Sequence, residues 1–369
     1  MKKRVLHVVG GMDIGGTETM LMNIYREIND IVQFDFISYY EKEAYYDKEI
    51  VSLGGNIIKL DSPQKSGQLK GIINLYKIIK SNNYEIVHAH TLFNCGGAML
   101  AAKLAGAKIR ISHSHTNLDM RSSFGKKIYF LIMRFLINCK STNLLACSDS
   151  AGEYLFGKKI NEKNKYTVLP NYVDYKSFLM CNDTNSIRES LGIKNDDIVV
   201  CHIGRFVDVK NHKFLINILN ELKKKEKRVK AVLVGDGVLR KNIEQQVKEF
   251  GLEEEVHFLG LRSDTKKILN NCDLFIFPSI YEGLGLVMLE AQACGIPCLV
   301  SEAIQPEADL EIGLVKQIYL KDGKEKWCKE ALKLTKSKNK NKKEIENAFI
   351  SKGYNLDKIV DDLLEIYNQ

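Results

Sequence analysis

Arg4-Val5-Leu6-His7-Val8-Val9-Gly10-Gly11-Met12-Asp13-Ile14-Gly15-Gly16-Thr17-Glu18 is the stretch on which the fold turns. The mostly apolar run Arg4–Val9 reads as a strand, glycines break it, and a helix is predicted over Thr17–Ile28. Strand, glycine turn and helix form the first half of a βαβ unit, and the chain goes on repeating that rhythm. Further strands are predicted at Phe34–Tyr39, Ile57–Leu60, Ile86–Ala89, Lys108–His113 and Leu144–Cys147. Helices are predicted at Leu69–Ser81 and Gly96–Ala105. Val168-Leu169-Pro170-Asn171 closes this series, and the polar stretch Tyr175–Ser186 reads as a linker.

The alternation then restarts. Strands are expected at Asp197–Ile203, Lys230–Val234, Val256–Phe258, Leu274–Phe277 and Cys298–Val300, with helices at His212–Lys224, Val238–Phe250 and Gly285–Cys294. A chain of 369 residues is long for one core at roughly 150 residues per domain. The expected fold class is therefore α/β in two lobes, residues 1–175 and 190–350, with 351–369 as a closing segment. There Ile359, Leu363, Leu364 and Tyr367 have helical spacing.

Composition excludes several classes. With 45% hydrophobic and 27% charged residues the chain is neither disordered nor collagenous, and no run of about 18 apolar residues suggests a span. The run after Met1-Lys2-Lys3-Arg4 is too short for a secretory signal, and nine scattered cysteines fit a reduced, cytoplasmic setting. The net charge of +8 is uneven: Cys95–Leu145 holds eight Lys or Arg against the single acid Asp119, a local +7. Such a segment suits anionic lipid or an anionic acceptor; without a recognition motif or aromatic platform, nucleic acid is not expected.

Four turns carry candidate chemistry. Gly15 and Gly16 open the first helix, where free N–H groups attract phosphate; G-x-G-x-x-G is absent, which disfavours a nicotinamide enzyme. The alternative is a turn needing positive φ. His113 and His115 follow a predicted strand, on the edge where parallel sheets bind ligands. Either could donate to a hydroxyl or be a structural histidine, and with no third ligand at metal spacing a metal site is not expected. Gly204-Arg205 with Lys210 places two cations at a strand mouth, able to stabilise a departing diphosphate or simply solvated. Gly235-Asp236-Gly237 is a strand-edge turn that could leave room for a flat base.

The segment Phe277-Pro278-Ser279-Ile280-Tyr281-Glu282-Gly283-Leu284-Gly285-Leu286-Val287-Met288-Leu289-Glu290 is the most informative. A strand runs through a glycine-punctuated loop into an apolar helix, and two acids stand with seven residues between them. Glu290, among Leu289, Ala291 and Ala293, needs a partner if it is buried and charged, and hydroxyl donors such as a ribose diol would satisfy it. Glu282 could accept from a sugar, and the N–H groups of Leu286 and Val287 sit where a phosphate meets the helix dipole. The plainer reading is a capping acid and an ordinary helix acid.

These residues resemble those of the retaining glycosyltransferases of family 4. The resemblance spans nearly the whole chain, in order: Gly15-Gly16-Thr17-Glu18, His113, Leu169-Pro170-Asn171, Gly204-Arg205 with Lys210, Gly235-Asp236-Gly237, and the pair Glu282 and Glu290. It implies the GT-B fold, two Rossmann-like lobes facing a central cleft. It implies that Arg205 and Lys210 bind a donor diphosphate, Glu290 the ribose, and Glu282 with the Gly283–Leu286 backbone the sugar, while His113 faces that sugar and His115 assists. It also implies transfer with retained configuration, no metal and no cofactor; the nucleotide diphosphate sugar, UDP by preference, is a substrate. The acceptor implied is a glycan or lipid-linked saccharide of bacterial capsule or exopolysaccharide assembly. One departure is Tyr172, where many relatives carry Gly.

Phe124, Ile128, Leu131, Ile132, Phe135 and Leu136 recur at helical spacing within Arg121–Lys140, among Lys126, Lys127, Arg134 and Lys140. This helix could lie on an anionic membrane at the inner face, or pack its stripe into the first lobe, and both can hold together. Rival functions are a nucleotide-sugar epimerase, which gives no reason for the two-acid loop, and a catalytically inactive partner. Against the latter, Arg205, Lys210, Glu282 and Glu290 are all present.

Overall fold

The computed structural model describes residues 2–115, 124–161, 166–183, 185–338 and 341–369. Two compact units form, Met1–Tyr172 with Tyr354–Gln369, and Val173–Gly353. Each is a Rossmann-like lobe: one parallel sheet with helices on its faces.

Strands β1 (Lys3–Val9), β2 (Val32–Ser38), β3 (Ile57–Lys59), β4 (Ile86–Ala89), β5 (Ile109–Ser114), β6 (Asn143–Ala146) and β7 (Thr167–Val168) make the first sheet, in the order β3-β2-β1-β4-β5-β6-β7. β1 is central because both its faces are apolar and both its edges are paired: Val5 registers with Phe34 on one side and Ile86 on the other, all parallel. On one face Leu6, Val8, Val87 and Ala89 join Leu75, Ile79, Ala98, Met99, Met133 and Ile137 in a dry core. On the other face the helix Leu356–Tyr367 returns from the end of the chain. Tyr367 is fully buried, meets Phe34 edge-on at 6.2 Å, and shares a 2.9 Å hydrogen bond with His88 Nδ1. These contacts place the terminal helix in the first lobe.

The second sheet comprises β8 (Ile198–Ile203), β9 (Val229–Val234), β10 (Val256–Gly260), β11 (Leu274–Phe277), β12 (Cys298–Ser301) and β13 (Val315–Ile318), ordered β10-β9-β8-β11-β12-β13. β13 lies beyond the last expected strand. It is an edge strand whose Lys316 and Gln317 are exposed, so its sequence has little of the apolar signature of a buried strand. Behind it, Trp327 on the helix Gly323–Leu334 is completely buried, packs against Phe214, and donates from Nε1 to the Tyr319 carbonyl at 3.1 Å.

The expected linker is corrected. Tyr175–Leu179 is a short helix capped by Asp174, and Tyr175 stacks on Phe349 at 4.4 Å inside the second lobe. Its polar neighbours hide three buried side chains, Tyr175, Phe178 and Leu179. The passage between lobes falls at Tyr172–Val173. Tyr172 is buried and lies outside the positive-φ region, so no glycine is required there.

Candidate functional site

In the second sheet the chain reverses its direction of growth between β8 and β11, and loops leaving the carboxyl ends of two such strands open a crevice. Both loops carry candidates. After β8 come Gly204 and Arg205, then a 3-10 turn Asp208–Lys210 and the helix His212–Lys225. After β11 comes the segment 278–285, then the helix Leu286–Ala293.

The loops are stitched to one another. Ile280 N–H donates to the Val209 carbonyl (2.7 Å), and Asn211 Nδ2 donates to the Pro278 carbonyl (3.1 Å). Lys210 Nζ donates to Glu282 Oε1 at 2.6 Å and lies 4.7 Å from the centre of the Phe277 ring. Both members of the pair are mostly buried, at 19% and 9% side-chain exposure, so the geometry is fixed by packing as well as by charge. Arg205 is exposed, and its guanidinium makes no hydrogen bond or ion pair within the described residues.

Glycines bring the backbones together. Gly204 N–H donates to the Val234 carbonyl at 2.9 Å, and a Cβ on Gly235 would sit 2.1 Å from the Gly204 oxygen. Gly235 also holds φ at +129°, so no other residue fits there without strain. The Cβ positions of Gly235 and Gly237 are occupied by the Gly204–Phe206 backbone, so these glycines let two strand-end turns pack directly on one another.

Gly285 caps the Leu286 helix with φ +79°. The first intrahelical bond runs from Met288 N–H to Gly285 O (2.8 Å), leaving the N–H groups of Leu286 and Val287 outside the helical ladder. Leu284 is buried and anchors the loop. Glu290 lies on the same helix, without a hydrogen bond or salt bridge among the described residues. Burial raises its carboxyl to about 7, so near neutrality it holds a proton about half the time.

Sequence reasoning missed His202 and His212. His202 Nδ1 hydrogen-bonds the Ile276 carbonyl at 2.9 Å, and its ring lies 4.6 Å from that of His212, which stacks on Phe206 at 4.0 Å. Both stay neutral because burial disfavours their charge. They floor the turn that carries Arg205 and Lys210; their only sequence signal is position, one at the end of β8 and one opening the next helix.

In the first lobe, Gly15 is extended (φ −163°) and neither Gly15 nor Gly16 has positive φ, so a left-handed turn is not what these glycines supply. A Cβ on Gly15 would collide with the Glu18 carboxylate, 2.3 Å away, and Gly15 O accepts from Thr19 N–H at 2.9 Å.

His113 and His115 belong to a five-imidazole array with His7, His88 and His90. Asn171 Oδ1 accepts from His115 Nδ1 (2.9 Å); a neutral His115 then offers Nε2 to His90 Nδ1 (2.8 Å), whose Nε2 accepts from His7 Nδ1 (3.0 Å). A second line joins Tyr367, His88 and His113, with His88 Nε2 3.2 Å from His113 Nδ1. Burial lowers every one of these imidazoles, His7 to about 3 and His115 to about 4. The third histidine thought missing from the sequence is His90, which groups with His113 and His115 as it does with His7 and His88, nitrogens within 4.8 Å. The signal was the H-x-H pair at 88 and 90, spanning the end of the neighbouring strand. These nitrogens hydrogen-bond to one another, and among the described residues no carboxylate joins them. His113 Nε2 is buried with no hydrogen-bond partner among the described residues.

Comparison with known proteins agrees with both lobes. The Glycosyltransferase Family 4 model matches residues 14–177, and the model of Glycosyl transferases group 1 matches residues 183–351. The chain is 37% identical over 372 residues to the putative glycosyltransferase EpsF of Bacillus subtilis, covering 100% of this chain and 97% of that protein. It is 27% identical to the capsular polysaccharide biosynthesis glycosyltransferase CapH of Staphylococcus aureus, covering 78% of each. Among solved structures, Anabaena Alr3699/HepE in complex with UDP and glucose superposes with a TM-score of 0.80, at 20% identity and 99% coverage of both chains.

Proposed function

The chain belongs to the family 4, group 1 glycosyltransferases, and from that premise we propose that it moves a hexose or N-acetylhexosamine from a UDP-sugar to a glycan or lipid-linked acceptor with retention of configuration. The reading rests on one observation: the Lys210–Glu282 pair, the Arg205 guanidinium, unpaired among the described residues, and the N–H groups of Leu286 and Val287 at the following helix start all follow β8 or β11 at the switch point. Capsule or exopolysaccharide assembly is the setting, in keeping with the name of CapH. The UDP in HepE supports the choice of base.

In this reading Arg205 and Lys210 stabilise charge growing on the β-phosphate as the glycosidic bond breaks, with the Leu286 and Val287 N–H groups and the helix dipole behind them. Glu282, held by Lys210, orients the sugar through its second oxygen. Glu290 accepts from the ribose hydroxyls. His113 offers Nε2 to the sugar. The acceptor hydroxyl oxygen bonds to the anomeric carbon from the face the diphosphate leaves, as the anomeric C–O bond to the diphosphate breaks and the hydroxyl proton passes to the departing phosphate oxygen, within an ion pair; a leaving diphosphate held by fixed cations can dispense with a metal.

A thermal-shift panel of nucleoside diphosphates and their sugars tests this. A nucleotide at about 100 times its Kd adds about 2.7 kcal/mol of stability. UDP and its sugars should shift the wild type, and Arg205→Ala and Glu290→Ala should abolish the shift. A shift preserved in both variants removes the site assignment. Proton NMR of the first-formed product checks retention.

A further inference from the structure

Three helices lie side by side over one face of the first sheet: Gln68–Ser81, Cys95–Ala105 and Phe124–Lys140. Small residues bring them close. A Cβ on Gly96 would sit 2.7 Å from the Met133 carbonyl oxygen, and Gly97 faces Ile72. Inward they contribute Leu75, Ile79, Ala98, Met99, Met133 and Ile137 to the core.

Their outward faces are not polar. On Phe124–Lys140, Ile128, Leu131, Ile132 and Phe135 are 45%, 63%, 51% and 64% exposed, and their spacing of three and four residues sets them in one stripe opposite Met133 and Ile137. Leu104 on the middle helix, and Leu69 and Ile73 on the first, are exposed as well. A helix apolar on both faces is normally covered on both. The three helices contain no Asp or Glu, but carry Lys70, Lys77, Lys80, Lys103, Lys126, Lys127, Arg134 and Lys140. Arg134 is spent on the Tyr154 and Leu155 carbonyls; Lys70, Lys77, Lys80, Lys103, Lys126 and Lys127 are exposed.

We propose that this three-helix face docks on an anionic lipid bilayer, with Ile128, Leu131, Ile132 and Phe135 inserted among the acyl chains and the lysines on the headgroups. Charge selects the occupant. A second copy would bring a matching set of lysines and no acids, so self-association is opposed, whereas an anionic bilayer satisfies both the apolar stripe and its basic surround. No helix among the described residues is long and apolar enough to cross a membrane, so the contact is made from one side. The inference deepens the proposed acceptor chemistry by placing the enzyme where a lipid-linked saccharide lies.

Co-sedimentation of the full chain with phosphatidylglycerol vesicles and with phosphatidylcholine vesicles, at low and high salt, tests it. Binding is expected to the anionic vesicles, weakening with salt. Lys126→Gln with Lys127→Gln should reduce partitioning roughly 30-fold, about fivefold per lysine. Leu131→Gln with Phe135→Gln should abolish it while leaving the melting temperature and the UDP-induced shift in place, since both side chains are exposed. No sedimentation with anionic vesicles overturns the proposal, as does unchanged binding by Leu131→Gln/Phe135→Gln. A wild-type dimer that this variant makes monomeric, without vesicle binding, assigns the face to a second copy and also overturns it. Glu290→Ala should still sediment, so loss of nucleotide binding and loss of vesicle binding are read separately.

Discussion

If the proposed ribose contact holds, Glu290 links nucleotide binding to pH. Its carboxyl is held at about 7 by burial alone, against an ordinary value of 4.5. Ribose hydroxyls donate best to the carboxylate, so binding must first remove any proton. At pH 6 about one molecule in eleven has the charged form, and at pH 8 about ten in eleven, so the apparent Kd for UDP should rise about tenfold from pH 8 to pH 6. The phosphates of UDP also titrate near pH 6, and Glu290→Gln separates the two effects because it keeps the ligand and removes the carboxyl. Isothermal titration calorimetry in two buffers of different ionisation enthalpy should show proton release by wild type near pH 6.5, and none beyond that of UDP itself in Glu290→Gln. Identical pH profiles for the two proteins would refute the ribose role. The same shift works oppositely on folding: a raised carboxyl contributes stability below about pH 4.5 that is lost as pH rises through 7.

Other perturbations give distinct outcomes. Lys210→Ala removes a fixed cation and frees Glu282, and should lower kcat by about 10²–10³-fold in an acceptor assay; a loss below tenfold would place Lys210 outside the phosphate site. Gly235→Ala forces a Cβ against the Gly204 oxygen at φ +129°, and should lower stability by about 1–3 kcal/mol in urea titrations, with UDP binding weakened too. His7, held at about 3 while free histidine titrates near 6.5, contributes stability that is present above 6.5 and lost as pH falls. His7 alone accounts for about 3 kcal/mol between pH 7 and pH 4, and His7→Phe should flatten the acid limb of a stability–pH curve.

Much of this fold was legible because parallel sheets bury both faces of their strands. β1, β4, β8, β9 and β11 are apolar runs closed by glycine, proline or a polar residue, and each was placed to within a residue or two. β13 was hidden because an edge strand needs no apolar face, and the Tyr175 helix because five residues show too little period against their polar surroundings. The residues proposed to meet the donor could be named from order along the chain, since Arg205, Lys210 and Glu282 each follow a strand end. The histidine array could not: His7, His88 and His90 are brought to His113 and His115 across β1, β4 and β5, and Asn171 reaches His115 from beyond β7, which no local spacing reveals. Arg121 lies outside the described residues; for the helix after it, sequence gave the stripe but not which side the core takes, and the structure assigns Met133 and Ile137 inward.

A crystal structure with an unhydrolysed UDP-sugar tests the central claim most directly. The diphosphate should lie within hydrogen-bond reach of Arg205, Lys210 and the Leu286 and Val287 N–H groups, with the ribose on Glu290. A sugar nucleotide bound away from the β8 and β11 loops would contradict it.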